Sequence, residues 1–308
     1  MAIDFSGGLT ALQIKERNKA IGASEVAAVL GLSKWETPLN VFDRKTNPES
    51  NTFQGNDATW FGTQLEPIVA HRFHLETGYT LTEHEEAYKK GHLVAHIDRY
   101  IVELGIPLEC KTQNAFAGLW EEVPDMYRVQ TEAQMYCMGV NECYVAVIIG
   151  GQSYQHFHVT GDPELQQAIG QRVDSFWENH VLANIPPPPI SYEDACRLYP
   201  MNRTDAKIAT EPAINALKRL QQVNTQLKAF NAEKEALKLE ICNSIEDAEG
   251  LMNQNGDLLC TWKLTNPKPK LDPKLMIEHL TEDEKKLSTI QPKGYRALKL
   301  KEKALDNT

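Results

Sequence analysis

The chain has no run of apolar residues long enough to cross a bilayer, although it contains 308 residues. Residues 1–5 also lack the basic segment, followed by an apolar one, that marks a secretory signal peptide. We therefore expect a cytoplasmic protein with no membrane association. Its 42% hydrophobic and 24% charged residues are ordinary for a globular protein, and its length allows one large or two modest domains.

Cysteine and glycine motifs are missing as well. The six cysteines are scattered without a C-x-x-C pair, so we expect neither a structural zinc, nor an iron–sulfur cluster, nor a disulfide framework. There is no P-loop, no G-x-G-x-x-G and no G-x-S-x-G. These absences argue against the common nucleotide-binding, dinucleotide-binding and α/β-hydrolase classes.

Positive charge is scarce, with 32 lysines and arginines against 42 acidic residues and a net charge of −10. This balance argues against a general polyanion binder, because phosphate contacts need Lys and Arg. It does not exclude a nuclease. Bound ions compensate an acidic metal site, and basic residues can be concentrated along one groove.

Two acids and a lysine stand at the ends of neighbouring apolar runs. Asp98 ends the run at 92–98, and Glu109-Cys110-Lys111 ends the next run, after turn residues at 103–105. In a hairpin, alternation puts Glu109 and Lys111 on one face, and antiparallel pairing can bring Asp98 beside them. Metal-assisted phosphodiester cleavage needs such carboxylates for Mg²⁺ and such a lysine for the attacking water. A solvated strand face with weak ion pairs has the same composition, so the pattern alone leaves both interpretations open.

Two further candidates lie on predicted helices. Glu66 falls on the first turns of a helix predicted over residues 59–77, whose start we place near 62–66 because Pro67 is tolerated only near a helix start. Gln130, on a helix predicted from 125 to 138, could hold a water or a phosphate oxygen. A favourable helix-dipole contact and a solvated amide are the ordinary explanations.

Three residues are candidate contacts to nucleic acid. Arg17 and Ser24 flank the first predicted helix, where a guanidinium, a hydroxyl and backbone N–H groups can cradle a phosphate. His96, two residues before Asp98, could be a metal ligand or a DNA contact, or the partner of a neighbouring carboxylate.

The proline-rich stretch at residues 185–190 is the clearest boundary in the chain. It divides an α/β domain at residues 1–184, through a linker at 185–204, from a C-terminal domain at 205–308. That domain begins with a long polar helix, predicted from 211 to about 246, with apolar residues at roughly heptad spacing. The helix could pair with a partner helix or fold back on the first domain. A hairpin around Asn255-Gly256-Asp257 and a last strand near 295–301 follow.

The order of these pieces resembles the YqaJ-type viral recombinases, phage exonucleases similar to lambda exonuclease within the PD-(D/E)XK nuclease superfamily. The resemblance covers about residues 10–180, and its motifs are specific when taken together. They are Arg17 with Ile21-Gly22-Ala23-Ser24-Glu25, then Val29-Leu30-Gly31-Leu32-Ser33-Lys34-Trp35, Gly62 with Leu65-Glu66-Pro67, His96-Ile97-Asp98, Glu109-Cys110-Lys111-Thr112, and Val123-Pro124 with Tyr127-Arg128-Val129-Gln130.

The resemblance implies an α/β fold with a restriction-endonuclease-like core, a mixed central sheet flanked by helices, carrying a long C-terminal helix and a small β-hairpin. It implies Mg²⁺-dependent 5′-to-3′ digestion of one strand of linear duplex DNA, which leaves 3′ single-stranded tails for recombination by strand annealing. Mn²⁺ is expected to substitute for Mg²⁺, with a pair of ions in each site. The source would be a phage or a prophage in a bacterial host.

By the same resemblance, each candidate residue takes a role. The metal ligands would be Glu66, Asp98, Glu109 and the backbone carbonyl of Cys110, which stands where the family usually has an aliphatic residue. Lys111 would orient the water with help from Gln130. The 5′-phosphate of a DNA end would bind Arg17 and Ser24.

The resemblance also implies partners: duplex DNA ends, a single-strand annealing protein, and copies of the chain in a ring-like homo-oligomer. An acidic exterior around a basic lumen would reconcile such a ring with the net charge. Two other functions stay open. One is an endonuclease of the same superfamily, restriction-like or branch-specific, with the same site. The other is a non-catalytic DNA-binding or assembly module.

Overall fold

The computed structural model describes residues 18–47, 56–84, 86–201 and 206–265, together with residues 280, 281 and 284. The chain divides into two compact units, Met1–Leu198 and Tyr199–Thr308. The division lies within residues 185–204, the range of the linker in the predicted domain organisation, and the predicted bounds of the two domains stay a prediction. No helix in the described ranges is both long and apolar enough to span a membrane.

The described part of the first unit contains both helices and strands. The first part of this unit contains β1 (Ile21–Gly22), a 3₁₀ turn (Ala23–Glu25), α1 (Val26–Val29), α2 (Pro38–Thr46) and α3 (Asp57–Thr77). Five strands follow: β2 (Leu81–Thr82), β3 (Tyr88–Lys90), β4 (Leu93–Ala95), β5 (Arg99–Ile101) and β6 (Ile106–Gln113). The remainder contains α4 (Asp125–Met138), β7 (Glu142–Ile149), β8 (Ser153–Thr160), α5 (Pro163–Phe176), a π-helical turn (Trp177–Leu182) and α6 (Tyr192–Leu198).

The central sheet has five strands in the order β2-β5-β6-β7-β8. The pair β6–β7 is parallel and the other pairs are antiparallel, so the sheet is mixed. Helices cover both faces: Phe73 of α3 packs with Leu108 and Ala146, whereas Met135 of α4 packs with Val145, whose side chain points to the opposite face from that of Ala146.

The second unit contains α7 (Glu211–Ile245), followed by the antiparallel strands β9 (Gly250–Met252) and β10 (Leu258–Thr261). A turn joins these strands, in which the Asn253 side chain accepts hydrogen bonds from the backbone of Asn255 and Asp257, both at 2.9 Å. The mixed sheet, its flanking helices and this long helix with a hairpin confirm the predicted fold class. The strand predicted near 295–301 lies outside the described residues.

The start of α3 differs from the prediction. We placed it near residues 62–66, but the helix begins at Asp57 and contains Pro67 in its interior. The Asn56 side chain accepts a hydrogen bond from the Thr59 backbone at 3.0 Å, which caps the helix well before the proline. The prediction was wrong because Pro67 removes a single backbone hydrogen bond, which a helix of 21 residues can tolerate.

The predicted hairpin is also rearranged. Its first run at 92–98 is split, because β4 joins β1 and β3 in a separate three-stranded sheet. The strand that pairs with β6 is β5, with Arg99 opposite Leu108. Asp98 therefore lies in the link between the two sheets, directly before β5, rather than within a strand.

The segment after the polyproline stretch is fixed to the start of α2 by hydrogen bonds of Asp194. Asp194 of α6 is buried, with 2% exposure, and its carboxylate accepts a hydrogen bond from the Thr37 hydroxyl at 2.8 Å. The same carboxylate accepts one from the Ile190 backbone at 3.2 Å. Because Thr37 also caps α2, the segment after the prolines is tied to the start of that helix.

We predict that Asp194→Ala lowers the free energy of unfolding of the first unit by about 1–3 kcal/mol, because it removes a buried carboxylate together with its hydrogen bonds from Thr37 and Ile190. Urea denaturation measures the change. The neighbouring exposed residue provides the control, since Glu193→Ala should change stability by less than about 0.5 kcal/mol. Equal effects of the two substitutions would contradict the anchoring role.

Candidate active site

A cleft of about 500 Å³ lies among the turn after β1, helix α3, strand β6 and helix α4. It contains every described residue that the sequence analysis singled out: Ser24, Glu66, His96, Asp98, Glu109, Cys110, Lys111 and Gln130. Arg17 lies outside the described residues. The cleft therefore brings together residues that are separated by more than a hundred positions in the sequence.

Strand β6 delivers the acid and the lysine to one face of the sheet. Glu109 pairs with Val145 and Lys111 with Val147, so both side chains point toward α4, as the alternation predicted. Glu109 is 3% exposed, and its Oε1 lies 2.5 Å from Lys111 Nζ. A buried carboxylate is thereby paired with the one cation that the strand itself supplies.

Lys111 is held as an ammonium group. Its Nζ also donates to Gln130 Oε1 at 3.0 Å and lies 4.9 Å from the centre of the Tyr127 ring. Burial alone lowers the pKa of Lys111, but the carboxylates of Glu109 and Asp98 more than offset it, so this pKa is raised above its usual value. The side chain in this state can donate hydrogen bonds and stabilise negative charge, but it cannot accept a proton.

Asp98 is placed by the backbone of the next strand. Its Oδ2 accepts a hydrogen bond from the Cys110 N–H at 2.7 Å. Burial raises the pKa of Asp98 well above its usual value, and the charges of Glu109 and Glu66 raise it further. Around Asp98, the negative charge of the carboxylates therefore exceeds the positive charge of the neighbouring side chains.

Gln134, one helical turn beyond Gln130, connects two parts of the site. Its side chain is 1% exposed, and Nε2 donates to Glu109 Oε2 at 2.5 Å and to the His96 backbone carbonyl at 3.0 Å. One amide thus links β6 to the segment that ends at Asp98. The spacing of the two glutamines was visible in the sequence, but the contact with Glu109 was not.

Glu66 projects from α3 and is paired with Arg99. The Arg99 NH1 group lies 2.7 Å from Glu66 Oε1 and also contacts the backbone carbonyl of Asp98. The sequence analysis missed Arg99, although the residue directly follows Asp98 in the sequence. Its position at the start of β5, facing α3, is a consequence of the strand pairing with β6.

Ser24 is exposed at the cleft, on a turn that is stabilised by contacts of the next residue, Glu25. The buried Glu25 accepts a hydrogen bond from the Gly22 N–H at 2.7 Å and pairs with Lys45 at 2.6 Å and Arg44 at 3.0 Å. Burial alone raises the pKa of Glu25, but the charges of Lys45 and Arg44 reverse this and lower it. The turn is therefore anchored by a stable carboxylate. His96 is exposed at the same cleft.

The donor set suits a hard divalent cation. Within the described ranges, no three His, Cys, Asp or Glu side chains form a cluster that could hold a metal ion. The cleft nonetheless offers the carboxylates of Glu66, Asp98 and Glu109 and the carbonyl of Cys110, which are oxygen ligands of the kind that Mg²⁺ prefers. The raised pKa of Asp98 indicates a charge imbalance that a bound cation would relieve.

A comparison with solved structures finds similarity to two exonucleases. The chain is 21% identical to an alkaline exonuclease (LHK-Exo) from Laribacter hongkongensis, with a TM-score of 0.45, over 57% of this chain and 94% of that chain. It is 14% identical to a phage related exonuclease from Haemophilus somnus 129PT, with a TM-score of 0.44, over 54% of this chain and 95% of that chain.

The sequence comparisons extend over more of the chain. It is 29% identical over 263 residues to the uncharacterized protein YqaJ of Bacillus subtilis (strain 168), which covers 80% of this chain and 81% of that protein. Residues 14–141 match the model of the YqaJ-like viral recombinase domain, and this range includes all the cleft residues described above. Over residues 14–141, the chain is therefore similar to the YqaJ-like viral recombinase domain.

Proposed function

We propose that the chain is a divalent-metal-dependent exonuclease that digests one strand of linear duplex DNA in the 5′-to-3′ direction. The product would be duplex DNA with 3′ single-stranded tails for recombination by strand annealing. The observation that carries the proposal is the joint position of Asp98, Glu109 and Lys111 in one cleft, within the residues that match the YqaJ-like viral recombinase domain.

Three carboxylates and one carbonyl would hold the metal: Glu66, Asp98, Glu109 and Cys110. When bound, Mg²⁺, or Mn²⁺ in its place, supplies Lewis-acid chemistry for in-line attack of water on a phosphodiester, with a pair of ions as the expected number. The protein positions the reactants around it. Lys111, as an ammonium, donates a hydrogen bond that orients the water, and the Gln130 amide holds that lysine in place.

The DNA end would be recognised at the turn after β1. The Ser24 hydroxyl faces the cleft and can donate to a terminal 5′-phosphate, with Arg17 as the proposed cationic partner. His96, which lines the same cleft, is a proposed DNA contact. The anchored Glu25 supports this arrangement by fixing the turn that carries Ser24.

The proposal includes assembly. We infer a ring-like homo-oligomer around DNA and a single-strand annealing protein as partner, on the basis of the family resemblance. A ring with basic residues in its lumen would accommodate the net charge of −10. Nuclease activity is assigned to the first unit. Residues 205–308 are proposed to form a separate C-terminal domain for contacts with the oligomer or the partner.

Strand-labelled linear duplex and covalently closed circular duplex test the reaction directly, each incubated with Mg²⁺ and with EDTA. We expect Mg²⁺-dependent loss of the 5′-labelled ends from linear DNA and no cutting of the circle. Asp98→Asn should slow digestion by more than about a hundredfold while leaving the circular dichroism spectrum unchanged. Cutting of the circle would indicate an endonuclease with the same site, and no cleavage of either substrate would sink the enzymatic proposal.

End recognition is tested with 5′-phosphorylated and 5′-hydroxyl duplexes. Ser24→Ala should reduce the preference for the phosphorylated end by about 10- to 150-fold, because a hydrogen bond to a charged group contributes about 1.5–3 kcal/mol. Initial digestion rates on the two ends give the ratio. Ser153→Ala, on exposed strand β8, is the control and should keep the wild-type ratio. An unchanged ratio in Ser24→Ala would remove this residue from the phosphate site.

The role of Gln134 is tested with a buried glutamine elsewhere. Gln134→Met removes the amide that joins Glu109 to the His96 carbonyl, and we expect about 10–100-fold weaker divalent-metal affinity. Gln166→Met deletes a comparable hydrogen bond, at 3.0 Å to the buried Glu132. Both variants should lose similar stability in urea, but only the first should bind Mn²⁺ more weakly by calorimetry. Equal metal affinity in the two variants would contradict the positioning role.

A further inference from the structure

One of the proposed metal ligands, Glu66, is already paired with a positively charged side chain. The Arg99 guanidinium lies 2.7 Å from Glu66 Oε1, and its side chain is only 12% exposed, against 29% for Glu66. A partly buried ion pair of this kind is less screened by solvent than a surface pair. A divalent ion that approaches Glu66 must therefore compete with a fixed positive charge.

Arg99 has a second carboxylate within reach. Its NH2 group lies 3.6 Å from Glu83 Oε1, and the Glu83 side chain is 78% exposed. Thr82 pairs with Tyr100 across β2 and β5, so one further step of the same register sets Glu83 opposite Arg99. Arg99 thus lies between a carboxylate of the cleft and a carboxylate of the outer surface.

This arrangement allows the arginine to leave Glu66 without becoming an unpaired charge. Breaking a buried pair is costly mainly because the remaining charge has no partner. Rotation of the guanidinium toward Glu83 would keep it paired. Lys111 has no comparable choice, because Glu109 and Gln130 already engage its ammonium group.

We propose that Arg99 is an internal competitor for the metal site. In the metal-free protein it neutralises Glu66, and when a divalent cation takes Glu66 it transfers to Glu83. The inference rests on the metal site proposed above and adds to it a residue that sets how readily the site is loaded. Arg99 acts through its ion pair with Glu66 and does not itself contact the metal ion.

The test is a calorimetric titration of the full chain with Mn²⁺ alone, without DNA. The heat that disappears in Asp98→Asn defines binding at the cleft. Arg99→Gln should bind Mn²⁺ about tenfold more tightly than the wild type, because the competing ion pair is gone. Glu83→Gln should bind more weakly, because the displaced arginine loses its second partner. The double variant should match Arg99→Gln alone, since Glu83 acts only through Arg99.

A background without the Glu66 charge separates competition from general electrostatics. In Glu66→Gln, the further change Arg99→Gln should leave the Mn²⁺ affinity unchanged. An equal gain in both backgrounds would overturn the proposal in favour of simple charge repulsion. Weaker binding by Arg99→Gln would also overturn it, and would assign Arg99 to the orientation of Glu66.

Two controls complete the design. Arg72→Gln removes an arginine that pairs with Glu76 at 2.5 Å on the same helix as Glu66, and it should not change the affinity. Melting temperatures verify that each variant is folded. If the wild type shows no Asp98-dependent Mn²⁺ binding, the proposed metal site itself fails. If it binds but does not respond to Arg99→Gln, only the competitor role fails.

Discussion

The buried carboxylate of Glu109 is the constraint around which the cleft is organised. It lies on the strand at the centre of the five-stranded sheet, with 3% exposure, and an isolated charge in that position would be strongly unfavourable. Lys111, Gln130 and Gln134 each donate a hydrogen bond to it, at 2.5 Å in every case. The lysine and the two glutamines are therefore required by the fold as well as by the proposed chemistry.

The charges of the cleft form two linked pairs with one acid left over. Lys111 neutralises Glu109, and Arg99 neutralises Glu66, whereas Asp98 has only the backbone N–H of Cys110 within hydrogen-bond distance among the contacts described above. The raised pKa of Asp98 follows from its burial and from the two neighbouring carboxylates. The metal ion proposed above would relieve this repulsion at Asp98, in competition with the ion pairs that already hold Glu109 and Glu66.

The parts of the site that could be predicted are those that depend on local geometry. Strand alternation alone placed Glu109 and Lys111 on one face, and the order of motifs grouped Asp98 and Glu66 with them. Arg99 could not be predicted from its neighbours in sequence, because its partner on α3 is 33 positions away. The role of Gln134 could not be predicted either, since it depends on which face of α4 packs against the sheet.

The errors in the fold have a related cause. The predicted hairpin joined the run at 92–98 to β6, but β4 pairs with β1 instead, through contacts more than 70 positions apart in sequence. Periodicity identifies a strand and not its partner, so the division of that run between two sheets was invisible. The predicted start of α3 was wrong for the opposite reason. The local rule that proline lies near a helix start was given more weight than the helix cap formed by Asn56.

The sequence similarity to YqaJ of Bacillus subtilis continues into the second unit. The match to YqaJ covers 80% of the chain, more than the 198 residues of the first unit can supply, so it continues into the second unit. In that unit, α7 has 35 residues, of which only Ile245 is buried among those described. A helix with so few buried side chains gains little from packing, and an exposed local pair such as Glu235 with Lys238 adds little to its stability. Burial among the described residues therefore does not account for the length of α7, and contacts with another chain remain part of the assembly proposed above.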